Sequence, residues 1–124
     1  MPWNLDNDRP IYLQLMERIQ QDIVSGIYKP GDKLPSVREL ALDAAVNPNT
    51  MQKALSELDR IGLVYSQRTS GRFITEDKDM LGQLKTNLAS NHIQEFLKKM
   101  KQLGFQEDET LQLIQEAIKK EAKS

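Results

Sequence analysis

Leu34-Pro35-Ser36-Val37-Arg38-Glu39-Leu40-Ala41, followed after a short gap by Val46-Asn47-Pro48-Asn49-Thr50-Met51-Gln52-Lys53-Ala54-Leu55-Ser56-Glu57-Leu58, decides the fold. Ser36 is a good helix N-cap. Glu39, three residues on, completes a capping box in which each side chain satisfies the other residue's backbone N–H. Val37, Leu40, Ala41 and Ala44 supply the apolar face of the short helix that follows. Asn47 as N-cap and Pro48 at the first helical position, where its missing N–H costs nothing, start another helix. Met51, Ala54, Leu55 and Leu58 form its buried face, Ile61 extends it and Gly62 stops it. Two helices joined by a brief turn around Ala45-Val46 make a helix-turn-helix, whose second member can lie in a DNA major groove.

On the N-terminal side, residues 10–25 predict a helix. Pro10 suits its first turn, Ile11, Leu15, Ile19 and Ile23 make one stripe, and Tyr12 and Met16 widen it. Gly26 ends it, and Lys29-Pro30-Gly31-Asp32 is a turn signal. On the C-terminal side, Leu63-Val64-Tyr65-Ser66 and Arg72-Phe73-Ile74-Thr75 flank the polar Gln67-Arg68-Thr69-Ser70-Gly71, which predicts a β-hairpin. After a charged link from Glu76 to Asp79, Leu81, Leu84, Leu88, Ile93, Phe96, Leu97 and Met100 mark a long helix that Gly104 terminates, with Phe105 placed to fold back on its end. Glu107, Asp108 and Glu109 then open a last helix, striped by Leu111, Ile114 and Ile118, with lysines near its end as the dipole prefers. The fold expected is mainly α with a small β-hairpin: a winged helix-turn-helix over residues 1–75, then a two-helix dimerisation hairpin over 76–124.

Bulk composition narrows the function. Charged residues make up 28% and hydrophobic residues 39% of the 124, which excludes long disorder. No apolar run approaches the roughly 20 residues of a membrane-spanning helix, and the first residues lack a secretory signal's pattern. Without cysteine there are no disulfides, no thiol chemistry and no cysteine-ligated metal, which suits the cytoplasm. No nucleophile–base pair, phosphate-cradling glycine loop or metal-ligand cluster is present, so neither enzyme activity, a metal site nor a cofactor is expected. The net charge of −1 argues against a strongly basic DNA binder. The first 75 residues carry nine lysines and arginines against nine aspartates and glutamates, so any DNA surface must come from where the cations sit.

The free face of the second helix of the motif offers Asn49, Thr50, Gln52, Lys53 and Ser56. Asn and Gln bond adenine edges in pairs, and Thr contacts bases or phosphates. Asn49 and Thr50 stand in the first turn, where the helix end favours phosphate. Arg38 lies on the preceding helix, and Arg68 and Arg72 flank the hairpin tip, so three arginines frame one polar helix. Arg72 reads equally well as a partner for neighbouring carboxylates.

These blocks, with Pro10-Ile11-Tyr12 and Gly26-Ile27-Tyr28-Lys29-Pro30-Gly31-Asp32-Lys33 before them and Gly62-Leu63-Val64 after, resemble the winged-helix domain of the GntR family of bacterial regulators over roughly residues 8–75. The Asn47-Pro48-x-Thr50 form and the short tail resemble its small YtrA-type subgroup, in which a pair of helices replaces the large effector domain. The resemblance implies phosphate contacts from Ser36 and Arg38, recognition-helix contacts from Asn49, Thr50, Gln52 and Lys53, and a wing carrying Arg68, Ser70 and Gly71 into the minor groove. It implies a homodimer that binds a double-stranded operator, represses a small operon and has transporter operons as its targets. A small-molecule effector of unknown identity stays open. Thr69 departs from the family pattern, which carries glycine on both sides of the wing tip.

Two helices have little to bury themselves against within one chain, so Leu81, Leu84, Leu88, Phe96, Met100, Leu111, Ile114 and Ile118 are expected to meet a second copy, which predicts a near-palindromic operator. His92, on the Leu84–Leu88–Phe96–Met100 series, reads as a half-buried core or interface histidine. Trp3 reads as covering an apolar edge or packing against a partner. A winged helix used as a protein-interaction module would need an acidic or apolar recognition face, and Asn49, Thr50, Gln52 and Lys53 argue against it.

Overall fold

The computed structural model describes residues 2–123. Its elements are α1 (Ile11–Val24), α2 (Val37–Ala44), α3 (Pro48–Arg60), β1 (Val64–Gln67), β2 (Gly71–Ile74), α4 (Lys78–Gln102) and α5 (Glu107–Lys123). This is the mainly helical winged helix-turn-helix expected, with its one antiparallel hairpin.

Local signals set most boundaries. The Ser36 hydroxyl accepts from the Glu39 amide at 3.1 Å, and the Glu39 carboxylate accepts from the Ser36 amide at 3.4 Å, so the capping box forms. Asn47 caps α3 through the Asn49 amide at 2.8 Å, with Pro48 opening the helix. Pro10 stands as the N-cap of α1, one position before the helix, with extended ψ. Between α2 and α3 the chain reverses at Ala45, which holds the left-handed conformation with φ 57 and ψ 47. For a residue with a Cβ this costs on the order of 1–2 kcal/mol. The amides of Ala45 and Val46 repay part of it by closing on the Leu42 and Ala41 carbonyls at 3.2 and 3.0 Å.

α4 begins earlier than the leucine pattern suggested. Asp77 accepts from the Met80 amide at 3.1 Å and so caps the helix from within the charged stretch read as a link. The chain forms two compact units, one through Thr86 and one from Asn87. The first turns of α4 belong to the first unit, past the boundary at residue 75, because Met80, Leu81 and Leu84 pack against its core.

That core is built from Leu15, Ile19 and Ile23 of α1, Leu40, Ala41 and Ala44 of α2, and Met51, Ala54, Leu55 and Leu58 of α3. Leu34, Leu63, Val64 and Ile74 complete it. The hairpin pairs Val64 with Ile74 and Gln67 with Gly71, so the strands lie one residue nearer the tip than the β-forming residues suggested. Leu63 and Thr75 are still joined, the Thr75 amide donating to the Leu63 carbonyl at 2.9 Å. Residues 31–34 run along the other edge of β2: the Leu34 amide donates to the Arg72 carbonyl and the Ile74 amide to the Asp32 carbonyl, both at 2.8 Å.

The segment before α1 is strapped onto the same unit. Gln14, buried, accepts from the Asp6 amide at 2.7 Å and donates to the Asp6 and Arg9 carbonyls at 2.9 and 3.0 Å. Trp3 covers an edge, as one reading had it: its indole donates to Asp43 of α2 at 2.8 Å, and the Arg18 guanidinium lies 4.7 Å from its ring centre. Nearby, burial pushes the Tyr28 phenol above its ordinary 10.0, the carboxylates of Asp22 and Asp43 add to this, and Arg18 opposes it. The folded chain therefore holds the phenolic proton to higher pH than the unfolded chain. The stability this represents is complete below about pH 10 and is lost as pH rises through the folded value. Melting curves taken from about pH 8 to 11 should fall more steeply for the native chain than for Tyr28→Phe. Parallel curves would dismiss the coupling.

The second unit is the rest of α4 with α5. Gly104, at φ 95, ends α4, and the Phe105 amide turns back to the Met100 carbonyl at 3.1 Å. Among its described residues only Thr110 is buried, and no apolar side chain is. Ile93, Phe96, Leu103, Leu111, Leu113 and Ile118 are all exposed.

Candidate nucleic-acid interface

Each sequence-predicted contact can be placed. Ser36 and Arg38 are exposed at the start of α2. The Ser36 oxygen accepts the cap bond, which leaves its O–H free to donate to a phosphate. On α3, Asn49, Gln52, Lys53 and Ser56 are exposed, while Thr50 is half-buried. Asn49, Gln52 and Ser56 follow steps of three and four and so share a face. The Gln52 amide donates to the Ser56 hydroxyl at 3.0 Å, which holds it along the helix with its carbonyl oxygen and second N–H unspent. Lys53 is drawn to the side, its ammonium 4.0 Å from the ring centre of Tyr12 on α1.

The wing is the β1–β2 hairpin. Arg68, Thr69 and Ser70 form its exposed tip, closed by the Ser70 amide on the Gln67 carbonyl at 3.2 Å. Gly71 follows at φ 103. A Cβ there would stand 3.0 Å from Cε of the flexible Lys33 side chain, so it is the positive φ that calls for glycine. Thr69 adopts no positive φ, so this tip closes without a glycine at its first position. Tyr65 and Phe73 stack across the strands with centres 5.8 Å apart.

Arg72 does not join the cationic frame as a free group. Its guanidinium donates to Asp59 of α3 at 2.8 Å, and the Ser66 hydroxyl donates to the same carboxylate at 3.1 Å. The pair ties both wing strands to the end of α3. Lys33 is the cation that sequence reasoning missed. It bridges to Phe73 and lies beside Gly71, although 38 positions separate Lys33 from Gly71 in the chain.

The neutral charge total now resolves into two populations. Four of the arginines are spent: Arg9 on Glu17, Arg18 on Asp22, Arg60 on Glu57 and Arg72 on Asp59. Asp32, Glu39 and Asp43 are engaged by the Lys29 amide, the α2 cap and the Trp3 indole. Among the described residues, Arg38 and Arg68 are the arginines with no carboxylate partner. Most of the acids of the first unit are engaged internally, whereas Arg38 on α2 and Arg68 in the wing are left without a carboxylate.

The apolar stripe expected to dimerise is divided. Leu81 and Leu84 are half-buried on the core of the first unit. In the second unit Leu88, Met100 and Ile114 are half-buried, and Phe96, Leu111 and Ile118 are exposed. His92 is exposed in the single chain, where this length of α4 packs against too little to cover it, so the core reading does not hold and the interface reading stands as proposed. Among the described residues no group of histidines and carboxylates is placed to hold a metal, and no helix is long and apolar enough to cross a membrane.

Comparison with known proteins agrees with this geometry. The family model described as bacterial regulatory proteins, gntR family, matches residues 11–74. The chain is 43% identical over 108 residues to the uncharacterized HTH-type transcriptional regulator YhcF of Bacillus subtilis, covering 87% of this chain and 89% of that one. It is 42% identical over 94 residues to the HTH-type transcriptional repressor YtrA of the same organism, covering 76% and 68%. A GntR family transcriptional regulator from Listeria monocytogenes superposes with a TM-score of 0.83 at 38% identity, over 90% of this chain and 98% of that one. The AraR DNA-binding domain in complex with operator ORE1 superposes with a TM-score of 0.52 at 31% identity, over 60% and 94%.

Proposed function

Starting from a chain that belongs to the gntR family of bacterial regulatory proteins, and so is a DNA-binding transcriptional regulator rather than an enzyme, we propose that it is a cytoplasmic homodimeric repressor occupying a near-palindromic operator. The observation that carries the DNA surface is the split between spent and free arginines. Arg38 on α2 and Arg68 at the wing tip stand without a carboxylate partner on the elements that flank α3 in the chain, where they suit backbone phosphates. Ser36 and Arg38 hold phosphates, Asn49, Thr50 and Gln52 meet base edges with Lys53 beside them, and Arg68, Ser70 and Gly71 carry the wing into the minor groove.

The second unit supplies the partner contact. A helical pair without a buried apolar side chain falls below the size at which a core sustains itself. A groove of about 600 Å³, where Leu97, Phe105, Leu111 and Ile114 are flanked by Gln94, Lys98, Lys101, Glu107 and Thr110, adds to the apolar surface on offer. A second copy covers such a surface with its own, and the two-fold axis that results pairs the recognition helices. We read residues 1–75 as the DNA-binding domain and 76–124 as the dimerisation segment, from Leu88 onward in its packing. Repression by occupancy follows the likeness to YtrA, which is named a repressor, and a transporter operon as target rests on the subgroup resemblance alone.

Selection from a pool of random duplexes tests the reading. Enrichment of a motif with two-fold symmetry is the expected result. An enriched motif without symmetry would remove the dimer, and no enrichment with only weak, salt-labile binding would remove the sequence-specific regulator.

A further inference from the structure

Lys53 and Gln52 are neighbours on α3, and composition alone does not say which of them meets the bases. The structure separates them. Gln52 lies along the helix on the Asn49–Ser56 face. Lys53 leans off that face toward α1, its ammonium 4.0 Å from the Tyr12 ring centre. Tyr12 is half-buried and packed against the core, so the ring is a fixed seat. The electron-rich face of the ring attracts the cation, and holding it there removes rotamer freedom that a lysine otherwise loses on binding. A helix in the major groove turns the middle of its face to base edges and its flanks to the two backbones. A compact ammonium on the flank suits a phosphate oxygen.

We propose that Tyr12 is a positioning residue of the DNA-binding surface: its ring seats the Lys53 ammonium on the flank of α3, where it takes a backbone phosphate and not a base edge. This rests on the reading of the α3 surface as a DNA site. The consequence is a division of labour in which Lys53 adds affinity on every sequence and Asn49 and Gln52 carry discrimination. The Tyr12 hydroxyl has no part in it.

The test uses the full chain and a random-sequence duplex, with affinity followed across a salt series for the native chain, Lys53→Gln, Tyr12→Phe, Tyr12→Leu and the Tyr12→Leu/Lys53→Gln double variant. Lys53→Gln should flatten the slope of log affinity against log salt by about 0.9 per bound head. Tyr12→Phe should match the native chain. Tyr12→Leu should weaken binding roughly 2- to 5-fold when Lys53 is present and not at all when it is absent. An unchanged slope in Lys53→Gln would overturn the phosphate role. An equal loss from Tyr12→Leu with or without Lys53, or a loss in Tyr12→Phe equal to that in Tyr12→Leu, would overturn the seat. Should Tyr12→Leu not fold, the proton spectrum of the native chain decides. The Lys53 ε-methylene signal belongs upfield of the other lysines under the ring current, and its coincidence with them would overturn the seat. A native chain that binds no duplex at any salt overturns the DNA reading and this inference together. One that binds while Lys53→Gln keeps its slope overturns the inference alone.

Discussion

Arg38→Ala is expected to weaken binding to the selected operator roughly 10²- to 10³-fold while leaving the melting temperature nearly unchanged. The two halves of this expectation come from the same observation. Arg38 is exposed on α2 and has no carboxylate partner among the described residues, so its removal leaves no acid orphaned and no cavity. Surface substitutions of that kind shift stability by about 0.5 kcal/mol or less. On DNA the lost charge-assisted phosphate contact costs about 1.5–2 kcal/mol per head, and the proposed dimer loses it twice, about 3–4 kcal/mol in all. Arg9→Ala is the control, because Glu17 already holds Arg9 with two bonds of 2.8 Å. Titration of both variants by anisotropy decides the matter. Equal losses from the two would mean that Arg38 contributes only diffuse positive charge.

Phe96→Asp is expected to convert the proposed dimer to a monomer and to carry operator affinity down toward the non-specific level, a fall on the order of 10³-fold or more. Phe96 is 40% exposed in the single chain, on a length of α4 where no residue is buried. A carboxylate is therefore tolerated by the monomer, where water still reaches it. In a two-fold interface two carboxylates are buried without partners, at an effective cost of several kcal/mol per ion. The linkage to DNA is geometric. Two heads held together bind two half-sites as one event, and separate heads must each bind alone. Sedimentation and operator titration of the same sample check it, with Ile118→Asp as a second variant on α5. A chain that stays dimeric and binds normally with either substitution would remove this face from the interface.

The contrast between the two units explains how much was legible in the sequence. In the first unit, the capping box of Ser36 and Glu39, the Asn47-Pro48 start and the stop at Gly62 each act within four residues, and all are found in the structure. Asp77 was the exception. It caps α4 from a stretch whose charges look like a link, since nothing in an Asp-Lys-Asp run announces which acid will cap. The apolar stripe of α4 was equally readable, but its first members, Leu81 and Leu84, belong to the first unit and pack on that unit's own core. A stripe says that a face must be covered and not by what.

The residues around α3 show the same division at the level of chemistry. Sequence placed Arg38, Asn49, Gln52, Lys53 and Arg68 on or beside one helical motif, because helical periodicity and the turn fix which side chains share a face. It also determined the helices, the hairpin and the absence of cysteine chemistry, all of which depend on residue type and near neighbours. Only tertiary structure decided which cations stay free. Arg72 is spent on Asp59, Lys33 stands by Gly71, Trp3 reaches Asp43, and Lys53 settles on Tyr12. Each of these pairs joins residues 13 to 41 positions apart, brought together by the packing of α1, α2 and the wing around α3. Hydrogen bonds and ion pairs act over a few ångströms, so their partners are set by that packing and not by neighbours along the chain.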